Sequence, residues 1–150
     1  MVAVRMAKPG DVGVWLKLRQ ALWPESSEAE HCEEIDRFFA GESSRSPWAV
    51  LLAEDDHGRI LGFVELSLRP YAEGCRSTPV AYLEGWYVLP EARRQGVGGA
   101  LVMSAEVWGR SQGCTEFASD TPVDNEVSAA AHRALGFVEV GTVRCFRKDL

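Results

Sequence analysis

The segment spanning residues 82–101 constrains the fold more than any other part of the chain. It begins as a β-prone apolar run, breaks at a proline, and continues as a turn that leads into apolar residues at helical spacing. The turn holds three glycines, Gly96, Gly98 and Gly99. Glycines let the backbone approach a ligand closely, and the N–H groups at a helix N-terminus form a cradle for phosphate oxygens. Arg93 and Arg94 add positive charge. The segment predicts a phosphate-binding turn or, alternatively, a plain glycine turn with two solvated arginines.

Two familiar nucleotide-binding loops do not fit this turn. A Walker A loop needs Gly-Lys followed by Ser or Thr, and the chain contains no Gly-Lys pair. A dinucleotide fingerprint needs glycine or alanine three residues after its second glycine, where Leu101 stands. Neither loop is therefore predicted here.

The patterns on either side predict one mixed α/β domain over residues 1–150. Pro9-Gly10-Asp11 offers a helix start before an amphipathic segment that Pro24 ends, and Ser27-x-x-Glu30 is a capping box for a second helix. A turn at 55–58 joins two apolar β-prone runs into a hairpin. The predicted order is β-α-α-β-β-β-α-β-α-β, with helices on both faces of the sheet. The predicted strands are 2–6, 48–54, 60–69, 80–88, 114–119 and one or two within 136–146.

Charge and composition exclude several kinds of partner. A net charge of −6 and a pI near 5.1 oppose binding to nucleic acid, and the same field attracts a polycationic small molecule. No stretch approaches the ~20 apolar residues of a membrane span, and the N-terminus does not resemble a secretory signal, so we expect a cytoplasmic protein. No metal is expected, because the cysteines and histidines are scattered: Cys32, Cys75, Cys114, Cys145, His31, His57 and His132.

The motif Arg93-x-x-Gly96-x-Gly98, after a strand that ends at Val88, resembles the acetyl-CoA motif of the GNAT superfamily of N-acetyltransferases. The resemblance implies a mixed, mostly antiparallel sheet. It also implies that the preceding strand splays from its neighbour to pair with the pantetheine arm, while the turn's amides bind the pyrophosphate of CoA. By position, pantetheine would meet Trp86, Tyr87 and Val88. The pyrophosphate would meet Gln95, Gly96, Val97, Gly98, Gly99 and Ala100.

A second block resembles the family region around the thiol end of CoA. It comprises Asp124-Asn125, a helix over 128–135, and Gly136-Phe137, and it implies that Asn125 contacts the cofactor. Many family members have a tyrosine four residues before that glycine, where it serves as general acid for the departing thiolate. This chain has His132 there. His132 is an acid for the sulfur, a substrate contact or an exposed polar residue, and the sequence leaves all three open.

Within the superfamily, several separated blocks look like aminoglycoside 6′-N-acetyltransferases. The blocks are Leu22-Trp23, Leu83-Glu84-Gly85, 117–120, Asn125 and 132–137. This similarity implies an acceptor pocket and a homodimer. The residues it implies for the pocket are Trp23, Tyr71, Glu84 and Asp120.

Carboxylates at these positions also make chemical sense. An ammonium must lose a proton before its nitrogen can attack a thioester, and Glu84 or Asp120 can accept that proton. The freed amine would attack directly, without an acyl-enzyme, and a backbone amide near Val88 would stabilise the oxyanion. Alternatively, Glu84 faces solvent or pairs with an arginine, and Trp23 is a core residue. A nucleophilic Cys114 is disfavoured, because no histidine is near it in sequence.

The sequence is also compatible with two other functions. One keeps the CoA site but acetylates a polyamine, an amino acid or a protein N-terminus. The other is a non-catalytic module that binds acetyl-CoA, against which the two acids argue.

Overall fold

A five-stranded sheet forms the centre of the protein. The computed structural model describes residues 1–42 and 47–150. The strands are β1 (Ala3–Met6), β2 (Ala49–Glu54), β3 (Ile60–Arg69), β4 (Val80–Val88) and β5 (Phe117–Ser119). They lie side by side in chain order, antiparallel from β1 to β4, whereas β5 runs parallel to β4. The mixed, mostly antiparallel sheet is therefore confirmed.

The hairpin between β2 and β3 has a local cause. Asp55 Oδ1 accepts the N–H groups of His57 and Arg59, each at 2.9 Å, and Gly58 takes a left-handed conformation with φ of 77°. An aspartate that bonds its own turn, followed by a glycine at positive φ, is a common way to reverse the chain. The predicted hairpin is confirmed.

Among the described residues, four helices surround the sheet: α1 (Val12–Leu22), α2 (Glu28–Phe39), α3 (Val97–Ser111) and α4 (Glu126–Ala134). Ser27 caps α2, because its Oγ accepts the Glu30 N–H at 3.1 Å, as the capping-box pattern predicts. Short 3₁₀ turns precede α1 and α3 at Pro9–Asp11 and Pro90–Ala92.

A large hydrophobic core lies on each face of the sheet, and a smaller cluster forms around Ala72, Val80 and Tyr82. On one face of the sheet, α3 packs Leu101 and Ala105 against Val64 and neighbouring strand residues. On the other face, Trp15 of α1 and Ile35 of α2 pack against the β2–β3 hairpin. Helices therefore cover both faces, as the sequence predicts.

The C-terminal part of the chain differs from the prediction. The strand predicted over 114–119 is limited to β5, and residues 137–150 form neither helix nor strand. The prediction of one or two strands within 136–146 is wrong for this structure. A β-prone composition forms a strand only where a neighbouring strand supplies hydrogen bonds, and within the described residues this segment has no such partner.

Three features that bear on function class can be read from the described residues. No helix in this part of the chain combines the length and the apolar character that a membrane crossing requires. No three side chains of His, Cys, Asp or Glu among residues 1–42 and 47–150 come together as a group able to hold a metal ion. All four cysteines are free thiols.

Candidate active site

The chain turns sharply between the end of β4 and the start of α3. Gly96 precedes the helix in a left-handed conformation with φ of 82°, and Arg94 also has a positive φ, of 61°. The Ala100 N–H donates to the Gly96 carbonyl at 3.0 Å, which closes the first helical turn. The amides of residues 97–99 belong to that first turn, whose N–H groups have no acceptor within the helix. This arrangement binds anions.

The side chains of the turn fold back on its own backbone. Arg93 Nε donates to the Val88 carbonyl at 2.8 Å, with the guanidinium 5.4 Å from the centre of the Tyr87 ring. Gln95 Nε2 donates to the Glu91 carbonyl at 3.1 Å. These bonds fix the shape of the turn and leave its main-chain amides and the exposed Arg94 as the groups that can bind an anion.

One edge of β4 is open beside this turn. β5 pairs with β4 only from Ala81 to Leu83, and no strand of the described residues pairs with that edge over 84–88. On the opposite edge, the Leu89 N–H donates to the Leu61 carbonyl of the β3 strand at 2.8 Å. Hydrogen-bonding groups alternate between edges in an antiparallel strand, so the Val88 amide points to the open edge. β4 thus splays from β5, as the family resemblance implies.

Trp86 forms a wall between the turn and α4. A Cβ added at Gly98 would lie 3.2 Å from Trp86 Cζ2, so glycine is what lets the indole lie against the turn. The other neighbour of the indole is His132, whose ring is perpendicular to it with centroids 5.2 Å apart. Trp86 Nε1 is buried and has no hydrogen-bond partner among the described residues. An unpaired buried donor of this kind is rare in native proteins.

Glu84 occupies a bulge in β4. Glu65 of β3 pairs with Gly85, and the next residue, Leu66, pairs with Leu83, so Glu84 is an extra residue without a partner in the ladder. Its carboxylate accepts hydrogen bonds from Ser67 Oγ and, in a bidentate pair, from Arg69 at 2.9 and 2.7 Å. The arginine pairing left open by the sequence is therefore what the structure has.

Asp120, the second predicted acid, lies just after β5 and is exposed. Tyr82 Oη donates to its Oδ2 at 2.5 Å. Burial, and then this bond, raise the pKa of the Tyr82 hydroxyl above its usual value, so it stays protonated and remains a donor. The Arg69 guanidinium lies 3.5 Å from the centre of the Tyr82 ring and links the two acids into one polar cluster.

Hydrogen bonds define the protonation of His132. Nδ1 lies 2.7 Å from the Ser128 carbonyl, which can only accept, so Nδ1 carries a proton. Nε2 lies 2.8 Å from Ser119 Oγ at the end of β5. The predicted cofactor residue Asn125 caps α4, because its Oδ1 accepts the Ser128 N–H at 3.1 Å. In the segment from Asn125 to Phe137, the side chain of Asn125 thus caps a helix, whereas the side chain of His132 lies against Trp86.

Trp23 and Tyr71 occupy different surroundings. The indole of Trp23 packs against Gly85, where an added Cβ would lie 2.6 Å from Cη2, and edge-on to Phe63 at 6.3 Å. Trp23 is thus both a core contact and a neighbour of the Glu84 bulge. Tyr71 is exposed on the loop after β3. It lines an open cleft of about 960 Å³ together with Asp120 and His132.

Sequence reasoning missed part of this cluster. The missed side chains are Ser67, Arg69 and the hydroxyl of Tyr82, which hold the two predicted acids. A signal for two of them was present, since polar residues recur at 65, 67 and 69 in an otherwise apolar strand. A period of two places those three side chains on one face of the sheet.

The sequence from residue 15 to residue 137 matches the Acetyltransferase (GNAT) family. The strand splay, the glycine turn and the order of elements in the structure agree with that match. The chain therefore belongs to the GNAT family of acetyltransferases.

Within the family, the chain is similar to enzymes that act on aminoglycosides. It is 56% identical to aminoglycoside N(6′)-acetyltransferase type 1 of Klebsiella aerogenes, over 98% of this chain and 96% of the relative. The structure of AAC(6′)-Iy in complex with the bisubstrate analogue CoA-S-monomethyl-acetylneamine has a TM-score of 0.91 and 34% identity, covering 100% of this chain and 99% of that one. AAC(6′)-Ig from Acinetobacter haemolyticus has a TM-score of 0.89 and 40% identity, covering 99% of both chains.

Proposed function

We propose that this protein transfers the acetyl group of acetyl-CoA to the 6′-amine of an aminoglycoside antibiotic. The observation that carries the proposal is the meeting, along one strand, of an anion-binding turn with an acid cluster. The turn and the open edge of β4 suit a diphosphate-bearing thioester, and the cluster of Glu84 and Asp120 beside Trp23 suits a polycationic amine. Relatives up to 56% identical carry this activity in their names.

The turn and the strand edge fit acetyl-CoA, which supplies an activated acetyl thioester when it binds. The amides at the start of α3 would hold the pyrophosphate, and the open edge of β4 would offer backbone groups to the amides of pantetheine, as an added strand does. The proposed cofactor-binding residues are Trp86, Tyr87, Val88, Arg93, Arg94, Gln95, Gly96, Val97, Gly98, Gly99, Ala100 and Asn125.

In the binding and reaction of the acceptor amine, we propose different roles for Glu84 and Asp120. Both oxygens of Glu84 accept hydrogen bonds, so its carboxylate serves as a fixed negative charge for the ammonium groups of the substrate. Asp120 keeps Oδ1 available, since Tyr82 bonds only Oδ2. We therefore assign Asp120 as the base that removes the ammonium proton, directly or through water. Trp23 and Tyr71 would contact the sugar rings.

The freed amine then attacks the acetyl carbonyl, and the Val88 amide on the open edge stabilises the oxyanion. The bond from carbon to nitrogen would form before the bond from carbon to sulfur breaks. The nitrogen would then give its surplus proton to water, and the thiolate would leave. To act as an acid, His132 would need a proton on both ring nitrogens: Nδ1 would donate to the Ser128 carbonyl and Nε2 to Ser119 Oγ, whose own proton goes to the Leu83 carbonyl at 3.3 Å. The Nε2 proton could then pass to the departing sulfur, which would leave a neutral ring with its proton on Nδ1. That proton transfer is the catalytic role proposed for His132.

Release of free CoA with different acceptors tests the function. We expect thiol release from acetyl-CoA to depend on a kanamycin-like aminoglycoside and to be far slower with a polyamine or a peptide amine. Preference for the polyamine or the peptide would replace the proposed acceptor. No acceptor-dependent release at all would favour a non-catalytic module.

Replacing Gly85 with alanine tests the proposed role of Trp23. The new methyl group would overlap the indole, 2.6 Å from Cη2, and push it off the Glu84 bulge. Misplacing a substrate-binding group by about 1 Å costs up to ~100-fold in catalysis, so we expect the KM for the aminoglycoside to rise by about tenfold. Affinity for CoA, measured by calorimetry, should not change. An unchanged aminoglycoside KM in folded protein would remove Trp23 from the acceptor pocket.

We also propose that the protein works as a homodimer in the cytoplasm, where acetyl-CoA is available. The segment 137–150 exposes apolar side chains, among them Val140 at 63%, Val143 at 60% and Phe146 at 91%. β5 lies at the edge of the sheet with a strand partner on one side only, within the described residues. A second copy that covers this segment would bury apolar surface that is otherwise left in water.

Charge introduced into this segment should therefore dissociate the dimer. We expect the double variant V143D/F146D to elute with the mass of one chain, 16.5 kDa, whereas the wild type elutes at twice that mass in light-scattering chromatography. Val107, 64% exposed on α3, supplies the control, because Val107→Asp places the same charge on a different surface. A wild type that runs as a monomer would refute the proposal.

A further inference from the structure

A buried polar network lies between α1, α2 and β3, outside the groups to which the mechanism assigns a role. Its centre is Arg19, whose side chain is only 3% exposed. The guanidinium pairs with Glu65, which is 4% exposed, and with Glu34 at the rim. Arg19 Nε also donates to His31 Nδ1 at 3.1 Å. The indole N–H of Trp15 completes the network by donating to Glu65 at 2.9 Å.

The chemistry of these groups fixes the direction of the hydrogen bonds. An arginine side chain only donates, so Nδ1 of His31 must accept. The imidazole proton is then on Nε2, which donates to the backbone carbonyl of Trp23 at 3.1 Å. The hydrogen bonds therefore run outward from Arg19, on one side to Glu65 and on the other through His31 to the backbone carbonyl of Trp23.

Both ends of this series of hydrogen bonds lie at the proposed acceptor pocket. At one end, the Trp23 carbonyl is held by His31, while the Arg19 guanidinium lies 4.9 Å from the centre of the Trp23 ring. At the other end, Glu65 pairs across the sheet with Gly85, the residue next to the Glu84 bulge. The indole of Trp23 packs on that same glycine. The network therefore ties an aromatic wall and an acidic wall of one pocket to a single buried group.

Stability alone does not explain such a network. Burial disfavours the charge on Glu65 and raises its pKa to about 7, against the opposing effect of Arg19. A buried ion pair of this kind can often be replaced by apolar side chains of similar size without loss of stability. What apolar side chains cannot reproduce is the set of directional bonds that fixes the Trp23 backbone.

We propose that Arg19, His31 and Glu65 are positioning residues that set the separation between Trp23 and Glu84, and thereby the recognition of the aminoglycoside. The inference rests on the proposed function, because it concerns the acceptor pocket of that reaction. None of the three residues needs to touch the substrate. They act through Trp23 and through the strand pair at Gly85.

Two replacements of His31 separate positioning from packing. The side chain of His31→Gln can accept from Arg19 and donate to the Trp23 carbonyl, whereas His31→Leu fills similar space and can do neither. For His31→Leu we expect kcat/KM for the aminoglycoside to fall by about tenfold or more, with the KM for acetyl-CoA unchanged. His31→Gln should stay within about threefold of the wild type. Calorimetric affinity for the aminoglycoside should follow the same order.

Thermal unfolding first shows which variants are folded, and the kcat/KM values of the folded variants then decide the matter. A folded His31→Leu protein with wild-type kcat/KM, or a loss that His31→Gln does not rescue, would overturn the positioning role. If His31→Leu does not fold, the double variant R19M/E65M carries the test, with the same expected loss confined to the aminoglycoside. Wild-type protein is assayed first, and its failure to acetylate any aminoglycoside would refute the proposed function itself.

Discussion

Replacing Gly96 with valine is expected to weaken the binding of CoA by about 100-fold. Gly96 has a φ of 82° at the entrance to α3, a conformation that costs a β-branched residue about 1–2 kcal/mol. The turn should relax to avoid that cost and move its amides away from the pyrophosphate. Hydrogen bonds to charged groups contribute about 1.5–3 kcal/mol each, so weakening two of them by about 2.7 kcal/mol in total corresponds to a ~100-fold weaker Kd. Calorimetry with CoA measures the change.

The other end of the same helix offers a matched control. Gly113 has a φ of 84°, and a Cβ at either glycine would meet no atom within 4 Å. Gly113→Val should therefore lower the free energy of unfolding by a similar amount and leave the affinity for CoA unaltered. Equal losses of CoA affinity in both variants would mean that the turn has no special role. Gly96→Asn should retain more affinity than Gly96→Val, because asparagine tolerates the left-handed conformation.

Replacing Asp120 with asparagine is expected to lower kcat by about 100-fold. The amide can still accept the hydrogen bond from Tyr82, so the local structure is kept, but it cannot take a proton from the substrate ammonium. Positioned general bases contribute ~100-fold to ~10,000-fold to turnover. Steady-state kinetics at saturating aminoglycoside, with unchanged affinity for CoA, provide the measurement.

Two further variants show which of the two acids removes the ammonium proton. Tyr82→Phe removes the hydrogen bond to Asp120 without removing the carboxylate, so it should cost less than about tenfold in kcat. Glu84→Gln should act mainly on the KM for the aminoglycoside, since it removes the negative charge proposed to attract the ammonium groups and leaves the positive charge of Arg69 without its partner. A large loss of kcat in Glu84→Gln, with a normal kcat in Asp120→Asn, would exchange the roles of the two acids.

Local signals predicted most of the fold. The serine cap of α2, the aspartate turn after β2 and the glycine before α3 each act over a few residues, and the structure contains all three. Pairing over long distances was less predictable. The segment after Gly136 has the composition of a strand, but within the described residues no neighbouring strand pairs with it.

For the candidate site too, the features set by local sequence were predictable and those set by distant residues were not. Glycine spacing and the break after Val88 predicted the turn, because the conformation of a turn depends mainly on the residues within it. The state of Glu84 could not be predicted, since it depends on Arg69 from the neighbouring strand and on a bulge that moves one residue out of register. Likewise, Trp23 is a core residue that also lies beside the Glu84 bulge, because Gly85 lets the indole reach the strand.

The site of acetylation on a matched pair of aminoglycosides tests the central claim most directly. Neomycin has an amine at the 6′ position, whereas paromomycin differs from it by a hydroxyl at that position. With acetyl-CoA and the wild-type protein, we predict that mass spectrometry and NMR find one acetyl group on neomycin, at the 6′ nitrogen, and none on paromomycin. Acetylation of paromomycin at a comparable rate, or of neomycin at another nitrogen, would contradict the account.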